Sequence, residues 1–425
     1  MSAIVGLCAA AGAFMSCGGG DDDNEKEEEE IVSGHAAPAK PAEPLSVSVY
    51  LDNSSSMRGY YAPKTGSAAE LANILAAIQT KYREAPLRAF YTQKGPRGTE
   101  VKEYDFNTLS TQLATKKLGY TDAYQLDQFI KAIDAQATAD TLHRTLSFFI
   151  TDGILSGSDA EIQANREFNR VNAPLLRNRI DQALIPLAKR GYGVALFQFP
   201  VDFNGTYFNY SNGQSQFSGK RPIYAIAIGP EYDIAELVKQ ADSNSLSGFT
   251  PAHSLQITKS GAQVVPSVSG SERSGHTFEA KPSEDDVTEK NGIRYARMRI
   301  TFPTAALPTY LRDEEAVRQA VAVEMDGQPV DPSSIRVSNG RVVIPVEVKE
   351  LTSPKFTLRV NDALPGWVME ANCDNDTNIA ATSAQTFNLA NLVEGLRQGV
   401  TGASTSLVFG PETYTIDWSA GEIDE

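Results

Sequence analysis

Leu45-Ser46-Val47-Ser48-Val49-Tyr50-Leu51-Asp52-Asn53-Ser54-Ser55-Ser56 is two patterns joined end to end. The first seven residues alternate apolar and polar side chains, which is the period of a β-strand. The alternation stops at Asp52, so the strand delivers a D-x-S-x-S loop at its carboxyl end. Asp52, Ser54 and Ser56 stand two residues apart, and an extended backbone aims all three oxygens to one side. Downstream, Ala68 to Gln79 carries Leu71, Ile74, Leu75 and Ile78 at helical spacing, which predicts an amphipathic helix lying on a sheet. Leu87 to Tyr91 reads as the next strand. Gly119-Tyr120-Thr121-Asp122 precedes a second helical pattern in Leu126, Phe129, Ile130 and Ile133, and this places the Thr121 hydroxyl on a loop entering a helix. Leu146 to Thr151 is an apolar buried-strand run that ends in Asp152-Gly153.

Strands alternating with helices predict an α/β sheet with helices on its faces. Ligands of such sheets bind beyond the carboxyl ends of the strands, where Asp52 and Asp152 both fall. Hard oxygen donors with few charges suit Mg²⁺, with Mn²⁺ or Ca²⁺ as alternatives, better than a thiophilic metal. Either motif alone is equally what a capped turn after a strand produces. Their order and domain-like spacing point to one metal site. Its two carboxylates would repel each other when empty, and a dication removes that repulsion.

The set Asp52/Ser54/Ser56, Thr121 and Asp152 resembles the metal-ion-dependent adhesion site of von Willebrand factor type A domains. That family has D-x-S-x-S after the first strand, a Thr on a middle loop and T-D-G after the fourth strand. The resemblance covers Leu45 to Phe249 and implies a doubly wound, Rossmann-like sheet flanked by helices. It implies that Ser54 and Ser56 ligate the metal directly, Thr121 directly or through water, and Asp52 and Asp152 mostly through water. The sixth position would go to a Glu or Asp carboxylate of a protein partner, linking metal binding to recognition.

Beyond Leu184 to Lys189, read as the end of a helix, Gly193 to Phe199 and Ile223 to Gly229 read as strands with no helix between them. A parallel pair would need a crossover of a dozen or more residues. Instead Phe203 to Lys220 is rich in Asn, Gly, Ser, Tyr and Phe, and its Asn204-Gly205 and Asn212-Gly213 steps favour a hairpin, making one strand antiparallel. The exposed aromatics there suit a contact surface, and equally an ordinary hairpin packed on its own domain. From Pro251 the pattern changes to short strands: Arg294 to Phe302, Val317 to Met325, Arg341 to Val348 and Phe356 to Val360. Asp326-Gly327 and Asn339-Gly340 mark tight turns. An immunoglobulin-like β-sandwich is expected, with one helix over Leu389 to Arg397. Asp374-Asn375-Asp376-Thr377 reads as an Asx turn, or alternatively as a calcium turn.

At 425 residues with 41% apolar and 21% charged side chains, the chain is long enough for two domains and a tail. The net charge of −15 is concentrated in Asp21 to Glu30, which holds eight acidic residues and one Lys. An acidic chain without a basic stripe lacks the footprint of nucleic-acid binding. Ala3 to Met15 is apolar but shorter than a membrane span and suits a signal peptide. Phe14-Met15-Ser16-Cys17 resembles a bacterial lipobox, with Phe14 where Leu is usual and no Lys or Arg upstream. The acidic run after Cys17-Gly18-Gly19-Gly20 resembles the surface-export signal of Bacteroidota lipoproteins. The expected plan is a signal peptide over 1–17 with Cys17 lipidated, a tether over 18–44, the α/β domain over 45–250 and a β-rich domain over 251–425. That plan places the protein on the outer membrane, held by its lipid and exposed at the cell surface. Cys373 is expected to be a small structural residue.

The function expected is non-enzymatic: a metal-dependent adhesion or assembly module. The alternative is a scaffold lipoprotein of the same fold without metal. A metal-dependent hydrolase is a third reading, which the sequence supports least. The four His residues form no H-E-x-x-H, and there is no G-x-S-x-G, no P-loop and no evident general base.

Overall fold

The computed structural model describes residues 42–61, 67–95, 98–114, 125–258, 265–361, 364–402 and 407–418, all within one compact unit, Ala37–Glu425. The apolar N-terminal stretch, Cys17, the acidic run and Thr121 lie outside the described residues. No described helix is long and apolar enough to cross a membrane.

The architecture is mixed α/β. Seven strands build the first sheet: β1 (Leu45–Leu51), β2 (Leu87–Gly95), β3 (Gly98–Tyr104), β4 (Arg144–Thr151), β5 (Tyr192–Phe208), β6 (Gln214–Pro230) and β7 (His253–Ile257). Their order is β3-β2-β1-β4-β6-β5-β7. β2, β1 and β4 run parallel, and every other neighbouring pair is antiparallel. The chain leaves β1 to one side for β2 and comes back on the other side for β4. The strand order therefore reverses at the carboxyl ends of β1 and β4.

Seven helices accompany this sheet: α1 (Ser67–Lys81), α2 (Phe106–Ala114), α3 (Leu126–Ala139), α4 (Asp159–Ala164), α5 (Phe168–Val171), α6 (Ala173–Lys189) and α7 (Glu231–Asp242). α1, α2 and α7 bury their apolar stripes in the core on one face, and α3 and α6 do so on the other. The alternation in β1 does not produce a wet face, because β1 is central. Val47, Val49 and Leu51 enter one core, Tyr50 enters the other, and Ser46 and Ser48 are buried beside Tyr50. β5 and β6 form one long hairpin, paired from Tyr192↔Pro230 to Phe208↔Gln214, so no crossover helix is needed between them.

Besides a two-stranded pair, Asn372–Cys373 with Thr386–Phe387, the second half holds two sheets that share a single core. One contains Val287–Lys290, Ile293–Pro303, Arg336–Ser338 and Arg341–Lys349. The other contains Thr277–Ala280, Val321–Met325, Lys355–Asn361 and Leu407–Asp417. Val317 to Ala320, expected as strand, is instead helical: Asp313 accepts from the Ala316 amide and caps a helix over Glu314–Ala320. Asp326-Gly327 and Asn339-Gly340 have positive φ at both residues, as tight hairpin turns require. Between the adjacent strands Lys355–Asn361 and Leu407–Asp417 the chain makes an excursion. Its helix Leu389–Thr401 leaves the two sheets and packs Leu389, Leu392, Val393, Leu396 and Val400 on the α6 face of the first sheet.

Candidate metal centre

β1 and β4 lie side by side with Leu51 opposite Ile150, and the Asp52 amide donates to the Ile150 carbonyl at 2.9 Å. The two chains then part, and each presents an aspartate at the parting. Asp52 Oδ1 accepts from the Ser54 amide at 2.9 Å, and Oδ2 accepts from the Thr151 hydroxyl at 2.9 Å. The Ser54 and Ser56 hydroxyls stand 3.1 Å apart. Asp152 Oδ1 accepts from the Ile154 amide at 3.1 Å, and its carboxylate also takes a hydrogen bond from Ser56. Asn53 points away from this cluster. Its side chain exchanges hydrogen bonds with the Thr92 backbone, at 2.8 and 2.9 Å, and so pins the loop to β2. Tyr61 fixes the loop from behind by donating to the Asp52 carbonyl at 2.7 Å.

Asp52 and Asp152 are each 4% exposed. Burial raises the Asp52 carboxyl to about 7, with the charge of Asp152 adding to the shift and the Ser54 and Thr151 hydrogen bonds opposing it. Burial raises Asp152 too, against the Ser56 hydroxyl, the Ile154 amide and the charge of Arg221. Four of the five expected ligands, Asp52, Ser54, Ser56 and Asp152, are therefore brought to one place. The fifth, Thr121, is outside the described residues. The donors are carboxylates and hydroxyls throughout, which is the chemistry of a hard dication, and each carboxylate keeps lone pairs beyond those its hydrogen bonds use. Among the described residues no group of three or more His, Cys, Asp or Glu side chains is placed to hold a metal. Any cation here would depend on the serines as much as on the acids.

Asp52, Ser54 and Asp152 line a cavity of about 310 Å³, and the tip of the β5–β6 hairpin lines it too, with Phe208, Asn209 and Tyr210. The hairpin is tied down rather than free. Asn169 donates to the Tyr210 carbonyl at 2.7 Å and accepts from the Gly157 amide at 2.7 Å. Tyr210 stacks on Phe387 at 5.6 Å. Asp376, 1% exposed, accepts from the Tyr207 hydroxyl and, at 2.9 Å, from the Tyr210 amide. The neighbouring Asn375 side chain accepts from the Thr377 amide and hydroxyl, which is the Asx turn. Asn388 closes the arrangement by donating to the Asn169 carbonyl at 3.1 Å.

Sequence reasoning missed Arg221, Asp376, Asn169 and Asn388. Arg221 is 1% exposed and acts electrostatically on Asp152, so the two aspartates are not the whole charge of the site. No known family model, curated protein or solved structure matches the chain.

Proposed function

We propose that this protein is a non-enzymatic binding module in which a divalent cation, Mg²⁺ in the first instance, captures a carboxylate of a protein partner. Asp52, Ser54, Ser56, Thr121 and Asp152 would hold the cation. The observation that carries the reading is the delivery of two aspartates and two serine hydroxyls from the ends of adjacent parallel strands to one cavity, at the reversal of strand order. In the fuller form of the proposal the first sheet and its helices are a von Willebrand factor type A-like domain and the second half is immunoglobulin-like. The chain would hang from the outer membrane by a lipid on Cys17, exposed at the cell surface. Fatty-acid labelling that survives Cys17→Ser would remove that anchor.

Binding to the folded state alone stabilises it by mass action, by about 2.7 kcal/mol at a hundred times the dissociation constant. Mg²⁺ or Mn²⁺ should therefore raise the melting temperature. Asp152→Ala should abolish the rise and Ser54→Ala should reduce it. If Mg²⁺, Mn²⁺ and Ca²⁺ all leave the wild-type melting temperature unchanged, both alone and with sodium acetate as a probe carboxylate, the metal site is excluded. Buried Arg221 favours the second reading, a scaffold in which a protein cation stands in for the metal, and that outcome would leave it as the better reading.

A further inference from the structure

Tyr224 on β6 pairs with Thr151, the last residue of β4. β6 therefore runs on past the end of β4 and carries Arg221, three residues before Tyr224, beside the Asp152 loop. Among the described residues no carboxylate is within ion-pairing distance of its three guanidinium nitrogens, and the neutral Tyr60 hydroxyl stands beside them. The guanidinium lies 4.3 Å from the centre of the Tyr207 ring and 6.0 Å from that of Phe203. The Tyr60 hydroxyl donates its proton to the Pro222 carbonyl at 2.8 Å and so offers Arg221 a lone pair but no charge, and Asp376 is held by Tyr207 and Tyr210. Asp152 is the carboxylate that acts on Arg221 through space. A buried guanidinium that has only neutral groups beside it is costly unless a nearby anion compensates its charge.

We propose that Arg221 is the internal counter-cation of the site, keeping its affinity for a dication low until a partner's carboxylate completes the charge balance. The inference rests on the metal-dependent reading of the same site. With Arg221 present, Asp52 and Asp152 leave one net negative charge. A dication turns this into one net positive charge in a buried place, and a carboxylate from outside restores neutrality. Metal and carboxylate therefore bind better together than either does alone, and each raises the affinity for the other by the same factor. Without Arg221 the two aspartates and the dication are already neutral, so the metal is held without help.

The test is calorimetric titration of the full chain with MgCl₂ and MnCl₂, with and without sodium acetate as the probe carboxylate. Acetate should raise the wild-type affinity for Mg²⁺ by about tenfold or more. Arg221→Met should bind Mg²⁺ about tenfold or more tightly than wild type without acetate and gain little from it, whereas Arg221→Lys, which keeps the charge, should behave as wild type. Equal or weaker affinity in Arg221→Met, with the acetate effect intact, overturns the proposal and leaves the metal-dependent function standing. If neither wild type nor Arg221→Met takes up Mg²⁺ or Mn²⁺ under any of these conditions, that function falls, and this inference with it. Should Arg221→Met fail to fold, Asp152→Asn in chelator decides. Its melting temperature falls if Arg221 relies on Asp152 as counter-ion, and a rise or no change overturns the proposal.

Discussion

Gly153 has a φ of +72°, and a Cβ added there would lie 2.5 Å from the Tyr224 ring. Left-handed backbone and lack of room both demand glycine, so Gly153→Ala should destabilise the fold by about 1–3 kcal/mol. A melting temperature equal to wild type would show that the loop relaxes freely. The Thr151-Asp152-Gly153 triplet was legible because each residue has a local reason to be there: Thr151 bonds Asp52, Asp152 faces the cavity, and Gly153 makes the turn. Arg221 was not legible. It lies between an exposed Lys220 and the Ile223 to Gly229 run, and it is buried only because β6 overruns β4, a fact of register that no local pattern carries. Asp376 escaped for a similar reason, since its turn is ordinary and its acceptor role needs a hairpin about 170 residues earlier in the chain.

At the scale of elements, the helices holding Leu71 to Ile78, Leu126 to Ile133 and Leu389 to Arg397 were readable from their spacing and the hairpin from Asn212-Gly213 at its tip. Asn204-Gly205 is instead paired within β5, and Glu314–Ala320 reads in part as strand from its sequence. The partners of the elements were not readable. The helix Leu389–Thr401 was expected within the β-rich half, yet it lies on α6. Gly395 and Gly399, one turn apart, make that approach close: added Cβ atoms would stand 2.8 Å from the Arg177 carbonyl and 2.6 Å from Leu184 Cβ. Gly399→Ala should therefore push the helices apart and lower stability by about 1–3 kcal/mol, although alanine raises helix propensity. A gain in melting temperature would show that propensity wins. The entrance to α4 offers a pH test. Glu161 closes a capping box with Ser158 and pairs with Arg179, and the Arg179 hydrogen bond leads in lowering its carboxyl to about 2. A lowered carboxyl stabilises the fold above its unfolded value near 4.5, and that contribution is lost as pH falls through about 2. The stability gap between wild type and Glu161→Gln should accordingly be widest near neutral pH and close steadily between pH 4.5 and 2. A gap that stays constant over that window would mean the ion pair contributes nothing.

At the scale of the whole molecule, the change of pattern expected at Pro251 precedes the last strand of the first sheet, His253–Ile257, and does not divide the packing. The excursion between Lys355–Asn361 and Leu407–Asp417 supplies part of the first sheet's cover, and through Asp376 and Asn388 it also holds the hairpin and loop around the cavity. Five buried apolar side chains of the helix Leu389–Thr401 face α6 and its neighbours. At about 1.5–3 kcal/mol for each, their loss together rivals the whole stability of a domain, about 5–15 kcal/mol. A fragment ending at residue 258, just after the last strand of the first sheet, should therefore expose Leu176, Ile180 and Leu184, bind a hydrophobic dye and melt without a cooperative transition. Residues 364–402 rejoined to it through a flexible linker should restore the transition and quench the dye. If the short fragment alone melts as cooperatively as the full chain, the excursion is an accessory cover, and the hairpin that walls the cavity is held by Asn169 without it.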